Sequence, residues 1–424
     1  MGLFQIITAI SIFVIIYSLI ISEKIHRTVI AFIGAVLLLV FKILPQDKAI
    51  ESIDFNTIGL LIGMMIIVNI LRRTGVFEYV AIKAAKMVKG DPWKILVAFA
   101  AITAVASAFL DNVTTILLIV PVTLVITETL ELNPIPFILP LVFASNIGGT
   151  ATLIGDPPNI MIGSATGLGF MDFIINLAPV IIVIFFVTII IMRFMYKKKL
   201  QITDDKRLKI MAMNENLAIR DKTLLKKCLV VLGITISGFV LHQYLGFESA
   251  TVALTGAALL LLISKVDPEE VLVEIEWPTI FFFIALFILV GGLEAVGVIN
   301  FLANGLLGIT GDNMLLMMIL ILWGSAILSS FLDNIPFVAT MIPLLKSIGA
   351  MSAVSITPLW WALALGACLG GNGTLVGASA NVIAGGLLSK HGHKLSFMEF
   401  TKVGLPVMLA SVVLATAYLV IFYV

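Results

Sequence analysis

Charged side chains are scarce in this 424-residue sequence, in which Asp, Glu, Lys and Arg supply 12% of the residues and hydrophobic residues supply 60%. One soluble core could not bury so much apolar surface, so we expect lipid to be the solvent. A hydrocarbon layer about 30 Å thick needs about 20 apolar residues per helix, and runs of that kind recur along the chain. Since lipid leaves backbone polar groups without water partners, we predict an all-α polytopic membrane protein.

The cysteine content and the net charge of the sequence are also low. Cys228 and Cys368 are the only cysteines, which leaves no disulfide framework and no cysteine-rich metal cluster. A formal net charge of +1 argues against nucleic acid as a partner. A Gly-x4-Gly-Lys-Ser/Thr phosphate loop is absent, so ATPase drive would have to come from a separate subunit. We therefore expect no cofactor, with H⁺ or Na⁺ as the coupling ion and the lipid bilayer as the surrounding partner.

The sequence repeats itself at a shift of 222 residues without a gap. The segment Ser107-Ala-Phe-Leu-Asp-Asn-Val returns as Ser329-Ser-Phe-Leu-Asp-Asn-Ile. Such self-similarity predicts two copies of one structural unit. We assign residues 1–202 to the first repeat, 223–424 to the second, and 203–222 to a linker between them.

The distribution of basic residues predicts that the two repeats are inverted. Ten of the 26 Lys and Arg residues lie within or beside the linker, from Lys197 to Lys227, which predicts a solvated cytoplasmic loop. Segment 72–94 carries six Lys and Arg residues, whereas its counterpart 294–316 carries none. Equivalent segments therefore face opposite sides, as in many secondary transporters. We predict a multi-pass protein of the cell (inner) membrane with both termini outside.

An inverted repeat needs an odd number of crossings per unit, so the apolar runs 93–110 and 113–130 cannot both span the membrane. We predict that they form a re-entrant hairpin, repeated in the second half. Each unit then has five crossings and one hairpin, which gives about ten transmembrane helices and two hairpins. The buried hairpin tips carry adjacent Asp and Asn residues, namely Asp111 and Asn112 in the first repeat and Asp333 and Asn334 in the second.

The tip acids are isolated in apolar sequence. Asp111 is the only charged residue between Ile95 and Thr127, and Asp333 is the only one in the matching part of the second repeat. An ionised side chain in the bilayer is costly and should face a cavity, a cation or a proton. The alternative role is an N-cap of the following helix, which Ser, Thr or Asn could fill without a charge. We therefore favour functional carboxylates and a possible Na⁺ site formed by Asp111, Asn112, Asp333 and Asn334.

Two glycine-rich segments, 144–159 and 367–381, lie inside apolar runs and predict broken helices. Lipid tolerates freed backbone groups only where they line a cavity, so carbonyls of such breaks can bind a cation and helix N-termini can bind an anion. Close helix packing at small residues is the alternative. Asp156 has no acidic counterpart, because Ala378 replaces it, and it is either a ligand or, as the more common role, an N-cap before Pro157. The further candidate binding residues are Thr114, Ser145, Asn146, Thr150, Thr152, Asp156, Asn159, Asn372, Thr374, Ser379 and Asn381.

Three long strings, 148–159, 331–343 and 370–381, resemble the ion transporter superfamily. The resemblance covers nearly the whole chain and points to the branch of arsenite permeases and NhaD-type sodium/proton antiporters, most closely to the melanosomal P (pink-eyed dilution) protein type. It implies a scaffold domain and a transport domain in each protomer, a site built from hairpin tips and broken helices, and often a homodimer.

These features predict a secondary active ion transporter coupled to protons or sodium. Its substrate would be a small inorganic ion or oxyanion, in cation/proton antiport or arsenite efflux. The alternative is a sodium-coupled, citrate-like carboxylate transporter, but dicarboxylate-carrying relatives typically have Ser-Asn-Thr at the tips, whereas the acids here repel a dicarboxylate unless they are neutralised. A passive channel is a further alternative. An enzyme, the intramembrane aspartyl protease, is disfavoured because its Tyr-Asp and Gly-x-Gly-Asp patterns are missing.

Overall fold

The computed structural model describes residues 2–22, 24–197, 200, 202–311, 313–352 and 355–424. Within these ranges the protein is helical and contains no β-strand, which confirms the predicted all-α fold. Lys198 and Lys199, two of the basic residues beside the linker, lie outside the described residues.

The first repeat forms ten helices in its described part. They are α1 (Leu3–Ser22), α2 (Arg27–Val40), α3 (Gln46–Glu51), α4 (Phe55–Arg73), α5 (Val76–Met87), α6 (Pro92–Phe109), α7 (Asn112–Thr129), α8 (Ile135–Thr150), α9 (Pro157–Thr166) and α10 (Phe170–Tyr196). Two short helices follow in the linker, α11 (Asp204–Ala212) and the 3-10 helix Glu215–Ala218. The helices of the second repeat are α12 (Lys222–Leu245), α13 (Ser249–Ser264), α14 (Pro268–Val273), α15 (Trp277–Ala295), α16 (Val298–Thr310), α17 (Met314–Phe331), α18 (Asn334–Met351), α19 (Thr357–Gly370), α20 (Ser379–Lys390) and α21 (Phe397–Tyr423).

The helices reproduce the sequence repeat. Eight consecutive helices, α2 to α9, begin 222 residues before α13 to α20, from the pair Arg27 and Ser249 to the pair Pro157 and Ser379. Packing partners are exchanged between the halves: α2 packs against α15 as α13 packs against α4, and α7 packs against α20 as α18 packs against α9. This reciprocal exchange is the pattern that a two-fold relation between inverted repeats produces. The division of the chain at residues 202 and 223 stays a prediction.

Polar side chains mark where equivalent helices begin. Asp91 accepts a hydrogen bond from the Lys94 backbone N–H at 3.0 Å at the start of α6, and Asn313 accepts one from the Leu316 N–H at 3.0 Å at the start of α17. Such N-caps satisfy amides that a helix leaves unpaired in its first turn. The hairpin arms of both repeats therefore start at matching positions.

Ten helices in the described residues are long and apolar enough to cross a membrane: α1, α4, α6, α7, α10, α12, α15, α17, α18 and α21. Their number equals the predicted ten spans, but the set differs, because it contains the four predicted hairpin arms. The apolar run 28–45, which in sequence predicts a membrane span, forms a shorter helix, since α2 ends at Val40 and Lys42 takes a left-handed conformation with φ of 52°. The predicted breaks are present, because α8 and α9 are separated by residues 151–156, and α19 and α20 by residues 371–378.

The glycines of α8 and α19 allow close contact with the hairpins. A Cβ atom at Gly148 would lie 2.1 Å from the Ala104 carbonyl oxygen, and one at Gly370 would lie 2.6 Å from the Ala326 carbonyl oxygen. Side chains at these positions would clash with backbone, so the small-residue packing considered as an alternative is also present. Each broken helix is thereby held tightly against the first arm of its own hairpin.

The described part of the linker is largely exposed, as predicted for a solvated segment, but it forms two short helices and is docked by ion pairs, so it is not a simple loop. Lys86 on α5 pairs with Glu215 at 2.6 Å, and Lys209 on α11 pairs with Glu131 at the end of the first hairpin at 3.0 Å. The linker and the basic segment 72–94 therefore lie on the same face of the protein. This arrangement agrees with the charge argument, in which both basic segments face the same side of the membrane.

Candidate functional site

The hairpin tips are turns of extended backbone between two helices. Leu110 (φ −123°, ψ 153°) and Asp111 (φ −64°, ψ 155°) separate α6 from α7, and Leu332 and Asp333 separate α17 from α18 in the same way. The first residue after each turn is an asparagine, Asn112 or Asn334 in the two repeats, and each is only 3% exposed. Both tips therefore end in the buried interior.

Both tips bind the same carboxylate, that of Asp156, which is fully buried in the first break. Asn112 Nδ2 donates to Asp156 Oδ1 at 3.3 Å, and Asn334 Nδ2 lies 3.3 Å from each of the two carboxylate oxygens. A buried carboxylate needs such donors because its desolvation is costly. Asp156 is thus the point at which the two hairpins and a broken helix meet.

Asp156 does not act as a helix cap through its side chain, so the role considered more common is wrong here. It occupies the N-cap position of α9, but its side chain accepts no hydrogen bond from the first turn of that helix. The Asn112 and Asn334 amides bind its carboxylate instead. The loss of the acid at Ala378 means that the second repeat lacks this group.

Asp111 makes the contacts of an N-cap. Its Oδ1 accepts from the Thr114 backbone N–H at 2.8 Å, and the Thr114 hydroxyl donates to its other oxygen. No ion pair to Asp111 is present among the described residues. It nevertheless lines the same cavity as Asp156, so capping and exposure to the cavity occur together.

Asp333 is isolated in sequence, but in the structure it has a cationic partner, one of the three environments expected for a tip acid. Arg27, at the start of α2, places Nη1 2.7 Å from Asp333 Oδ2. The Ser379 hydroxyl donates to the same carboxylate oxygen at 2.6 Å, and the Ile335 backbone N–H donates to Oδ1 at 3.1 Å. A carboxylate neutralised by a guanidinium is a poor Na⁺ ligand, so the two tips differ in electrostatics although their sequences match.

A network of buried amides connects the two broken helices. Asn146 Nδ2 donates to Asn372 Oδ1 at 2.9 Å and to Asn381 Oδ1 at 3.0 Å, while its own Oδ1 accepts from Asn112 at 3.3 Å. Asn372 Nδ2 is buried without a hydrogen-bond partner in the described part of the chain. A buried unpaired donor is costly, so this amide is available to a bound water or to an acceptor on a substrate.

The freed carbonyls of the breaks are partly satisfied by the protein itself. Asn159 donates to the Thr150 and Thr152 carbonyls at 3.0 and 2.8 Å, and Asn381 donates to the Gly371 and Thr374 carbonyls at 2.7 and 2.9 Å. Thr150 donates to the Asn146 carbonyl at 2.7 Å. These predicted binding residues therefore stabilise the broken helices. The Thr150 and Thr152 carbonyls, which accept from Asn159, can each accept a second hydrogen bond from a ligand.

The remaining predicted residues join the breaks to the hairpins. Thr152 donates to the Ala108 carbonyl at the end of α6, and Thr374 donates to its equivalent at the end of α17. Ser145 donates to the Asn112 carbonyl at 3.1 Å. They hold the geometry of the site and do not line the cavity described next.

The cavity between the tips has a volume of about 20 Å³, which is room for about one water molecule. Its charged and polar lining comes from both repeats: Arg27, Asp111, Asn112, Asp156, Glu276, Thr279, Asn334 and Ser379. Acids outnumber bases, because Arg27 is the one basic residue in this lining and is already paired with Asp333. The electrostatics therefore favour a cation or a proton over an anion.

The sequence analysis missed Arg27, Glu276 and Cys368. Arg27 directly precedes the apolar run that begins at residue 28, so apolar run length alone does not identify it as a site residue. Glu276 lies at the start of α15 and lines the cavity, and the Cys368 thiol lies 3.7 Å from Asn159 Oδ1. Cys368 occupies the position equivalent to Asn146, so the repeat itself carried a signal for this residue.

Comparisons with known proteins agree with this architecture. A family profile described as citrate transporter (CitMHS) matches residues 17–366. An uncharacterized transporter of Mycobacterium tuberculosis is 44% identical over 423 residues, which cover 98% of each chain. The P protein of Mus musculus is 35% identical over 504 residues, covering 99% of this chain and 60% of the P protein. The relation to the P protein type is confirmed, whereas the branch of arsenite permeases and NhaD antiporters stays a prediction.

A solved structure shares the fold. The YdaH transporter of Alcanivorax borkumensis, described as having an unusual topology, matches with a TM-score of 0.58 over 88% of this chain and 87% of that protein. At 13% identity this likeness concerns the fold alone. Together with the profile match over most of the chain, these findings show that the protein is a multi-pass membrane transporter of the citrate transporter family.

Proposed function

We propose that the protein is a secondary active ion transporter in which H⁺ or Na⁺ binds at Asp156 between the hairpin tips. Its transport reaction would be cation/proton antiport or the efflux of neutral arsenite. The observation that carries the proposal is the excess of acids around the cavity, where Asp111, Asp156 and Glu276 face one arginine that is already paired.

Electrostatics supports a cation at this place. Asp156 is fully buried, and its hydrogen-bond donors among the described residues, the Asn112 and Asn334 amides and the Cys368 thiol, are all neutral. A buried carboxylate without a cationic partner is strongly stabilised by a bound proton or metal cation. Binding of H⁺ or Na⁺ at Asp156 would also change its bonds to Asn112 and Asn334, and so link occupancy to the position of both hairpins.

Size supports a small ligand in this conformation. The cavity has room for about one water molecule. A proton or a dehydrated Na⁺ fits such a space, whereas a tricarboxylate would require the hairpins to separate. If the hairpins separate, the unpaired Asn372 amide and the free lone pairs of the broken-helix carbonyls offer the substrate further polar groups.

A carboxylate is the second candidate substrate, because the family profile is described as citrate transporter. Arg27 supplies a guanidinium that could bind a carboxylate if it left Asp333. Such an anion would enter an acidic cavity, so Na⁺ or H⁺ would have to bind first. A sodium-coupled carboxylate transporter therefore uses the same acids in the same coupling role.

The test is a flux assay in proteoliposomes that contain a pH-sensitive dye. We expect Na⁺ addition to move protons in the opposite direction if the protein is a cation/proton antiporter. If arsenite is the substrate, its addition would move protons instead. If citrate is the substrate, its uptake would depend on Na⁺. Flux of any of these solutes that ignores imposed H⁺ and Na⁺ gradients would indicate a passive channel and contradict the proposal.

Asp156→Asn is the informative variant, and Asp205→Asn is its matched control. Both replace one acid by its neutral isostere, but Asp205 is an exposed residue of α11. We expect Asp156→Asn to abolish coupled flux and Asp205→Asn to retain it. Wild-type coupling in Asp156→Asn would refute the role of this carboxylate.

The membrane orientation and the assembly are also proposals. The docked linker would face the cytoplasm with segment 72–94, and both termini would lie outside, as the distribution of basic residues predicts. A homodimer and a separate ATPase subunit stay predictions from the resemblance and from the missing phosphate loop.

A further inference from the structure

A second and larger cavity lies next to the acidic one. It has a volume of about 380 Å³ and is lined largely by apolar side chains of α1, α17 and α20. We call it the vestibule. Its charged lining consists of Arg27 and Asp333, and His26 also lines it. Arg27 and Ser379 line both the vestibule and the acidic cavity, so their side chains lie between the two spaces.

Three side chains form a closed cluster at this boundary. Arg27 Nη1 lies 2.7 Å from Asp333 Oδ2 and 2.7 Å from the Ser379 hydroxyl, which itself donates to Asp333 Oδ2 at 2.6 Å. The cluster joins α2, the second hairpin tip and the start of α20. Since these elements belong to different parts of the fold, their relative movement must break the ion pair.

We propose that the Arg27–Asp333–Ser379 cluster is a gate that separates the vestibule from the acidic cavity and is closed in this conformation. The proposal deepens the proposed function, on which it rests, by assigning to Arg27 control over access to Asp156. With the pair intact, the guanidinium blocks the passage sterically and repels cations approaching the acids. When the pair breaks, the vestibule and the acidic cavity become continuous.

The geometry favours a gate over a purely structural ion pair. The Arg27 and Asp333 side chains are 27% and 13% exposed, so both contact open space and are not sealed in a core. The guanidinium carbon lies 5.0 Å from the Phe282 ring centroid, a cation–π contact that holds the guanidinium beside Asp333. Tyr17 donates to the Pro336 carbonyl at 2.9 Å and ties α1 to the second hairpin beside the cluster.

The gate exists in one repeat only. The position equivalent to Arg27 is Ser249, and the position equivalent to Ser379 is Pro157. Asp111, the counterpart of Asp333, is bound by Thr114 instead of a cation. The two repeats therefore differ in chemistry at these positions, although their helices match at a shift of 222 residues.

The test measures access to the acidic cavity by thiol labelling in purified protein, independently of transport. Met65 lines the acidic cavity and Ile21 lines the vestibule. Cys228 and Cys368 are fully buried, so the parent protein is the blank. Met65→Cys and Ile21→Cys are labelled separately with a charged methanethiosulfonate reagent, each with Arg27 and with Arg27→Ser, the residue that the second repeat has at this position.

We expect Arg27→Ser to raise the labelling rate of Met65→Cys by about tenfold or more, because the open state gains population. The rate at Ile21→Cys should stay within about twofold, since the vestibule is open in both states. Arg27→Lys keeps the charge but loses the forked geometry, so it should give an intermediate rate and serves if Arg27→Ser fails to fold.

Two results would overturn the gate. One is an unchanged Met65→Cys rate in both folded Arg27 variants, and the other is a parallel rise at Ile21→Cys and Met65→Cys, which indicates general loosening. Neither result depends on flux. Coupled transport could therefore be confirmed while the gate fails, and the gate could be confirmed while H⁺ or Na⁺ coupling at Asp156 fails.

Discussion

Asn334 Nδ2 lies 3.3 Å from each carboxylate oxygen of Asp156, so the tip of the second hairpin is bonded to the broken helix of the first repeat. These residues are 178 positions apart. A ligand that changes the charge of Asp156 changes this bond directly. The site is thus a junction between repeats, and its occupancy can control how the repeats are positioned.

Neutralising the two tip acids should affect the protein differently. We expect Asp111→Asn and Asp333→Asn to fold and to lose coupled transport. Asp333→Asn should also lower stability, because it leaves Arg27 without its charged partner. A double-mutant cycle with Arg27→Ser should give a coupling energy of about 0.5–3 kcal/mol, measured by thermal unfolding in detergent. Wild-type turnover in purified Asp111→Asn would show that this acid is only a cap.

Both tip asparagines should contribute to stability. Asn334→Ala removes both of its donations to Asp156, while Asn112→Ala removes one donation to Asp156 and one to Asn146. Loss of a donor to a buried acceptor costs about 1–3 kcal/mol, so both variants should unfold at lower temperature. An added proton on Asp156 would reduce the loss, so the difference from wild type should shrink at acidic pH. A pH-independent difference would argue that Asp156 does not titrate in this range.

Close packing at Gly148 should be intolerant of a methyl group. Gly148→Ala would place Cβ 2.1 Å from the Ala104 carbonyl oxygen, whereas a Cβ at Gly324 in α17 meets no atom within 4 Å. Overpacking typically costs about 1–3 kcal/mol, and backbone cannot yield as a side chain does. We expect Gly148→Ala to lower the unfolding temperature and the matched Gly324→Ala to leave it nearly unchanged. Equal stability of the two variants would contradict the close approach of α8 and α6.

Docking of the linker should depend on pH and salt. Hydrogen bonds from Lys206 and Lys209 hold the pKa of Glu131 below its ordinary value of 4.5, and a hydrogen bond from Lys86 does the same to the pKa of Glu215. Because the pKa of each glutamate is lower in the docked state, its ion pair stabilises docking at pH values above the ordinary pKa. This stabilisation is lost as the pH falls through the lowered pKa. We expect hydrogen-exchange protection of residues 204–218, taken as the intrinsic amide exchange rate divided by the observed rate at the same pH, to fall at acidic pH. It should also fall at high salt, because exposed pairs are screened.

The control for linker docking is Glu131→Gln at neutral pH. It removes the charge without acid and should increase exchange in α11 while leaving the helices around Asp156 unchanged. If exchange in α11 is the same in wild type and in this variant at every pH, the ion pairs do not hold the linker.

Much of the fold was predictable because its signals are local in sequence. Apolar run length indicated helices, glycine-rich segments indicated the breaks at 151–156 and 371–378, and the 222-residue shift predicted which helices would match. The end of α2 at Val40 was not predicted, because the run continues as apolar sequence and only the left-handed Lys42 ends the helix.

Many residues of the candidate site were predicted from the sequence, but the contacts between them were not. The tip asparagines, Asp156 and Asn146 were identified from isolated polarity in apolar sequence. Their pairing was not, since Asn146 contacts Asn372 and Asn381 across 226 and 235 residues. Side-chain partners at such separations are set by how the helices pack, and a single sequence does not encode that packing locally.

The sequence by itself determined that this protein dissolves in lipid, that it is helical, and that each of its two repeats carries an acid and a helix break, because composition, run length and self-similarity act within one segment. Only the tertiary structure decided that Arg27 neutralises Asp333, 306 positions away in sequence, and that the asparagines of both hairpin tips bind the Asp156 carboxylate. It also docked the linker on the first repeat. Charge pairs and buried amides are selected by three-dimensional proximity, and folding creates that proximity between residues that are distant along the chain.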